Sequence, residues 1–276
     1  MTSHALEQAE YMLGRTNAEH DRLNRQGRLI SKITRHFLEE MDLRPGMRVL
    51  DVGSGVGDVA LLAARMVAPD GHVIGVDLDD SALRRARHRA AQEELTDVHF
   101  HVCDVHDYSN NDLFDAVVGR CVLLHQQDPT RALASAAKHA RAGGIVAFQE
   151  PWFSKAFSFP KLPLFEQLIG WLHRMVQDSG LDGDIGLRLP SLFAAVGLPA
   201  PKLSFEILVD CSPDSEIFPF VADTVQSLLP RLEQLGITSA AEVEVDTLAE
   251  RLRQEQAKLG SVLGVMPLMG AWCRKS

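Results

Sequence analysis

Paired cysteines are missing from this chain. It has four, Cys103, Cys121, Cys211 and Cys273, far apart and with no Cys-x-x-Cys spacing. That argues against a thiolate zinc site, a thioredoxin-like redox motif and a disulfide framework. The three-cysteine cluster of an iron–sulfur radical enzyme is absent as well. Excess positive charge is also lacking. The 276 residues carry a formal net charge of −9. Such a chain gains nothing from counterion release on a phosphate backbone, so nucleic acid is not an expected partner. The best basic cluster, Arg84, Arg85, Arg87, His88 and Arg89, is spread around a helix by its spacing and reads as a solvated face. No apolar run approaches the length of a membrane span. The segment from Met1 to Tyr11 is polar and lacks the apolar stretch of a secretory signal. The expected location is therefore the cytoplasm, with no membrane partner. No internal repeat or low-complexity tract is visible.

What remains is an ordinary globular composition, 46% hydrophobic and 24% charged. It suits one large domain or a domain with a sizeable insertion. Residues 1–43 read as an N-terminal helical cap, with Leu23, Ile30, Ile33, Phe37, Leu38 and Met41 on one stripe. The turn Arg44-Pro45-Gly46 ends it. Residues 44–151 then alternate. Strands are expected at Met47–Val52, His72–Val76, Val98–Cys103, Leu113–Val118 and Ile145–Gln149. Helices are expected at Val56–Ala68 and Asp79–Glu94, and from Asp128-Pro129 to about Ala140, with Asp79 and Pro129 as start signals. Strand–helix alternation with short turns means a parallel sheet covered on both faces. After Pro151 the rhythm breaks. Residues 152–200 read as a helical insertion and 201–276 as the final strands, Lys202–Val209 and Leu268–Cys273. Between those strands lies a helical lid at about 212–262, longer than the connections compact domains normally use.

The chemistry concentrates between the first strand and the first helix of this core. Asp51-Val52-Gly53-Ser54-Gly55-Val56-Gly57 places three glycines where the backbone must turn tightly and approach a ligand. The N–H groups of the following helix point at that ligand. Asp77 follows twenty residues beyond Gly57, at the end of the second strand, where a carboxylate can take both hydroxyls of a ribose. A dinucleotide fingerprint, Gly-x-Gly-x-x-Gly, would need glycine or alanine at position 58, and Asp58 stands there. A pyrophosphate wants bare N–H groups. A zwitterionic methionyl group with a sulfonium tolerates carboxylates such as Asp51.

LDVGSGVG resembles motif I of the class I S-adenosylmethionine-dependent methyltransferases, VIGVDLD the second-strand acidic motif and HVCDVHD the motif after the third strand. FDAVVGRCVLLHQQDP and AGGIVAFQEP are similar to the fourth- and fifth-strand segments. The likeness is close over about residues 44–151 and looser beyond, toward ubiquinone/menaquinone-type and small-molecule enzymes. It implies an α/β, Rossmann-like fold with a mostly parallel seven-stranded sheet, an N-terminal helical extension and helical lid insertions. It implies S-adenosyl-L-methionine as cofactor. Asp51, Gly53, Ser54, Gly55 and Gly57 would form the motif I seat for the methionyl part. Asp77 would hold the ribose, with Leu78 packed on adenine and Asp104 and the Val105 N–H at the adenine edge. Arg120 and Cys121 would stand near the amino-acid end. Gln26, in Arg22-Leu23-Asn24-Arg25-Gln26, would close the site.

Methyl transfer from a sulfonium is an in-line displacement, and some acceptors also need a base. His125, Glu150 and His173 are the candidate catalytic residues. Glu150 reads more readily as an anchor for a loop, and His173 more readily as lid packing beside Trp171. The fourth strand does not lead into an Asn/Asp-Pro-Pro-Tyr motif of DNA amino-methylating enzymes, and no motif of the metal-dependent catechol type is present, so no metal is implied. Aromatic residues in the insertions, among them Trp152, Phe157, Trp171 and Phe218, suit a partly hydrophobic small-molecule acceptor as well as plain core packing. Four readings stay open at this point: a small-molecule methyltransferase, a non-methylating binder of the same cofactor, a macromolecular methyltransferase and a nicotinamide dehydrogenase. Homodimerisation is equally open.

Overall fold

The computed structural model describes residues 17–109 and 113–276. The first sixteen residues of the expected N-terminal cap and the segment Asn110-Asn111-Asp112 lie outside them. In chain order the elements are α1 (Asn17–Glu40), β1 (Arg48–Val52), α2 (Asp58–Val67), β2 (His72–Asp77), α3 (Asp80–Gln92), β3 (Val98–Val102), β4 (Phe114–Arg120), α4 (Pro129–Lys138) and β5 (Ala140–Pro151). They are followed by β6 (Phe157–Phe159), α5 (Pro163–Asp178), α6 (Leu189–Ala195), β7 (Lys202–Asp210), α7 (Ile217–Gln234), α8 (Ala240–Val243), α9 (Val245–Leu259) and β8 (Val262–Arg274).

The strands form one sheet in the order β3-β2-β1-β4-β5-β8. The first five run parallel, and β8 pairs antiparallel with β5. β6 continues the edge of β5 along the first half of β8, and β7 covers the other edge of β8. This is the expected Rossmann-like architecture, with eight strands among the described residues rather than seven. The extra one is the three-residue β6, too short for its pattern to be read from sequence. β8 also begins six residues earlier than expected. Gly264, Pro267 and Gly270 interrupt its apolar run, and a proline ordinarily argues against an interior strand. A bulge admits it. The β7–β8 register shifts between Glu206 and Leu208, opposite Met266, whose φ is +50°.

Two hydrophobic layers cover the sheet. α1, α2 and α3 close one face over Val49, Val73, Ala116, Val118, Ala147 and Trp272. α4 and α6 close the other over Val117, Val146, Phe148 and Ala271. A third cluster joins α5, α7 and α9 to Leu263 and Val265 of β8. The alternation along β8 therefore serves all three.

α1 is held along its whole described apolar stripe. Ile30, Ile33, Phe37, Leu38 and Met41 are buried, each such side chain contributing about 1.5–3 kcal/mol. Phe37 meets Trp272 edge-on with ring centroids 5.7 Å apart. His36 Nδ1 lies 2.6 Å from Glu206 Oε1 on β7. Gly270 permits the contact: a Cβ there would stand 2.4 Å from Ser204 Oγ and 2.5 Å from Phe37 Cε2. Gly270→Ala is expected to lower unfolding free energy by about 1–3 kcal/mol through overpacking, and Phe37→Ala in the same chain should add less than it costs alone. Urea denaturation measures both. An alanine variant as stable as the natural chain would mean that α1 does not lie where it is described.

Candidate cofactor site

β1 ends in a buried carboxylate. Asp51 is 1% exposed, because the strand sits in mid-sheet and its side chain turns in beneath the following loop. Its Oδ2 accepts a hydrogen bond from Ser54 Oγ at 2.8 Å. Its Oδ1 has no hydrogen bond of good geometry among the described residues, although the Ala60 N–H is near enough to favour the ionised form. Burial raises the carboxyl to about 7. The Ser54 hydroxyl and the Arg120 charge oppose that rise, and the nearby Asp77 adds to it.

The loop that follows turns on glycines in the left-handed region. At Gly57, φ is +88°, and a Cβ would stand 2.9 Å from the Ala86 Cβ. The start of α2 can thus lie directly against α3. At Gly53, φ is +65°, and a Cβ would stand 2.6 Å from Val122 Cγ2. The loop is tied across to β2. Gly55 N–H donates to Asp77 Oδ2 at 2.8 Å, and Ser54 N–H to the Val76 carbonyl at 3.0 Å. Asp77 Oδ1 accepts from the Asp79 N–H at 2.8 Å. The acidic residue expected at the end of the second strand is therefore clamped beside the glycine loop. Leu78, next to it, is 45% exposed.

The segment after β3 is brought to the same edge by the Cys103 N–H, which donates to the Asp77 carbonyl at 3.0 Å. Asp104 caps its own turn there: Oδ1 accepts from the His106 N–H at 2.8 Å, and its carbonyl accepts from Asp107 and Tyr108. Val105 is buried beside it. Gln26 lies on α1, and its side chain is outside the described residues.

Arg120, at the end of β4, points toward α1. Its Nη1 donates to Thr34 Oγ1 at 2.9 Å and its Nη2 to Asp58 Oδ2 at 3.1 Å. Asp58 also pairs with Arg89 of α3 at 2.7 Å. Gly27 of α1 lies so close that a Cβ would fall 2.1 Å from Asp58 Oδ2. Asp58 thus ties α1, α3 and β4 together at the start of α2, on the wall of a cleft of about 460 Å³ also lined by Gly27, Ser31, Thr34 and Arg120. In the sequence Asp58 appears only as a missing glycine. Its adjacency to the glycine loop was the signal that could have marked it.

Gln149 of β5 was also missed. It is paired in register with Arg120 and Gly270, is 1% exposed, and neither end of its amide has a hydrogen-bond partner among the described residues. A buried, unmatched amide is costly.

The three candidate catalytic residues occupy different settings. His125 is half-buried at the end of the 3₁₀ turn Leu123–His125 that follows β4. Glu150 is fully buried on β5. Its Oε1 accepts from the N–H groups of Val122 and Leu123, both at 2.9 Å, and its Oε2 from Leu124 at 3.3 Å. Burial still raises it to about 7 against these donors. His173 stands on α5, with its Nε2 buried and without a partner among the described residues.

Residues 43–180, half of the chain, match the family model of a methyltransferase domain. The chain belongs to the S-adenosylmethionine-dependent methyltransferase family. Its cofactor is S-adenosyl-L-methionine. An arsenite methyltransferase of Halobacterium salinarum is 34% identical over 109 residues, covering 39% of this chain and 28% of that protein. A ubiquinone/menaquinone biosynthesis C-methyltransferase of Vibrio vulnificus is 31% identical over 137 residues, covering 46% of this chain and 53% of that protein. The chain thus spans 53% and 28% of these two curated relatives. A solved structure titled a putative sarcosine dimethylglycine methyltransferase, from Galdieria sulphuraria, shares the fold, with a TM-score of 0.54, 15% identity, and coverage of 89% of this chain and 86% of that one. Among the described residues of this methyltransferase-family chain, no helix is long and apolar enough to cross a membrane.

The site fits the cofactor. It offers an orphaned, buried carboxylate oxygen at Asp51, a left-handed glycine loop with open space at Gly55, and a clamped carboxylate at Asp77.

Because Glu150 is raised from 4.5 to about 7, the folded state keeps a proton that the unfolded chain has lost. That stabilisation is fully present below about pH 4.5 and is lost as pH rises through about 7. Glu150→Gln cannot ionise, so its melting temperature is expected to gain on that of the natural chain as pH climbs from about 5 to about 8. A difference independent of pH would mean that Glu150 titrates as an ordinary carboxyl.

Proposed function

We propose that this chain transfers a methyl group from S-adenosylmethionine to a small-molecule acceptor through an oxygen, nitrogen or carbon nucleophile. One observation carries the reading: the glycine loop after β1 is bonded to the Asp77 carboxylate at the end of β2, over the buried Asp51. The names of both curated relatives also refer to small acceptors.

In this proposal Asp51 Oδ1 faces the amino group of the cofactor, and Gly53, Ser54, Gly55 and Gly57 line its methionyl part. Asp77 takes the ribose hydroxyls, Leu78 covers the adenine face, and Asp104 Oδ2 with the Val105 N–H reads the adenine edge. Gln26, Arg120 and Cys121 close the amino-acid end. The bound cofactor supplies an electrophilic methyl on a sulfonium. The chain must hold the acceptor in line with it and keep water out. α1 covers the α2 side of the site through Gly27 and Thr34. The third hydrophobic cluster, with Trp171 and Phe153 packed against it, supplies the apolar roof for a partly hydrophobic acceptor.

Of the candidate bases, His125 lies on the turn that leaves β4 and is not fully buried. It would take the proton of a hydroxyl or ammonium acceptor. Both oxygens of Glu150 already accept backbone N–H groups. His173 belongs to the roof. The unmatched Gln149 amide offers a donor and an acceptor to a polar part of the substrate. The net charge of −9 favours a small molecule over nucleic acid, and a cytoplasmic setting agrees with the dispersed cysteines.

Incubating the chain with methyl-labelled S-adenosylmethionine and a metabolite extract should yield S-adenosylhomocysteine together with a labelled product. Homocysteine-form binding without any turnover would leave a non-methylating role. Asp77→Ala should weaken S-adenosylhomocysteine binding by about 100-fold, the value of two lost charge-assisted hydrogen bonds, with little change in circular dichroism. Unaltered affinity would remove the ribose assignment.

A further inference from the structure

The stretch between β4 and α4 has an anchoring problem. β4 stops abruptly at Arg120, because Cys121 adopts φ +54° and gives its N–H to the Gln149 carbonyl at 2.8 Å. The 3₁₀ turn Leu123–His125 begins at once, capped by Val122. A helical start leaves N–H groups without partners, and valine has no side-chain oxygen to offer them. The neighbouring strand supplies one. Glu150 reaches across from β5 and takes the N–H groups of Val122, Leu123 and Leu124.

Val122 has a second contact. Its Cγ2 and Cγ1 lie 2.6 and 3.2 Å from where a Cβ on Gly53 would be, so its methyls are the wall behind the first glycine of the cofactor loop. We propose that Glu150 is a positioning residue for the cofactor loop, fixing the Val122 backbone so that the valine methyls hold Gly53 in its left-handed turn. The inference rests on the reading that this loop seats the cofactor.

This relay is three links long: carboxylate, backbone, methyl wall. Nothing in it touches the cofactor except the last glycine segment. The elements around Glu150 bring few titratable groups to it. His125 is on the anchored turn itself. Asp184 caps and Arg188 ends the 3₁₀ turn Ile185–Arg188, whose Gly186 packs on the Glu150 carbonyl. Asp184 accepts from the Ser154 N–H, and Arg188 pairs with Asp182. The β8 partner is Met269. On β4, Arg120 is bound to Asp58 and Thr34.

The test is isothermal titration of S-adenosylhomocysteine into the full chain and four variants, well below their melting temperatures. Glu150→Ala is expected to weaken binding by about tenfold or more. Glu150→Gln keeps one carbonyl oxygen for Val122 and Leu123 and should stay within about threefold. Val122→Ala, which leaves the Glu150 hydrogen bonds in place, should cost about fivefold. The double variant Glu150→Ala/Val122→Ala should be no weaker than Glu150→Ala alone, since both act through one contact. A purely structural glutamate would lower the melting temperature in both substitutions and leave affinity unchanged. A folded Glu150→Ala chain that binds as the natural one does, or effects that multiply in the double variant, overturns the inference. Should Glu150→Ala not fold, natural affinity in Val122→Ala overturns it alone. If the natural chain itself does not bind S-adenosylhomocysteine, the cofactor reading fails instead.

Discussion

The hydrogen bond from Gly55 to Asp77 sets the geometry on which the site depends. It joins the loop after β1 to the end of β2, two neighbouring parallel strands whose ends would otherwise diverge into independent turns. Once the carboxylate is fixed there, the loop must curl back over β1, and only left-handed glycines allow that curl. The curl puts Asp51 underneath and opens the space at Gly55. It also brings Gly53 against Val122 and Gly57 against Ala86. The α2 start and the α3 face meet at this loop, while the turn after β4 is anchored separately, by Glu150 from β5. The charge belongs where it is, because a carboxylate between two backbone N–H groups is held by charge-assisted hydrogen bonds.

A second layer of control comes from α1. Its apolar stripe fixes it to the sheet, and its small residue Gly27 lets the Asp58 carboxylate approach. Asp58 in turn gathers Arg89 and Arg120. A position that excludes a dinucleotide-type helix packing is thus reused as an electrostatic tie between the cap and the core. The tie is little exposed, with Arg120 and Asp58 side chains each 11% exposed, so bulk solvent screens it less than a surface pair.

The parallel core and the glycine loop with its carboxylates were legible because their information is local. The alternation from Met47 to Gln149 is short-range, and the spacing of Asp51, Gly53, Gly55, Gly57 and Asp77 is a one-dimensional pattern. What escaped depends on partners far along the chain. β8 is broken by Pro267 and Gly270, and only a bulge opposite β7 and the ring of Phe37 explain why those residues are tolerated. Glu150 reads from sequence as an anchor for a loop, but nothing local says that the turn it serves lies about thirty residues earlier, a pairing set by strand order. Gln149, read from sequence as the end of an apolar strand, is a buried amide in register with Arg120 of β4 and Gly270 of β8, two neighbours that lie far from it in the chain. Asp58 was read for what it is not, since its partners lie on α3 and β4.

β8 carries a further implication. Its second half, from Leu268 to Arg274, is stitched to β5, while Leu263 and Val265, near its start, belong to the core formed by α5, α7 and α9. A single run of backbone therefore crosses from the sheet that carries the glycine loop into the third hydrophobic cluster, through the bulge at Met266. That cluster is consequently framed like a balcony on one joist. Its surface helices can diverge in sequence, while the joist keeps them in register with the sheet.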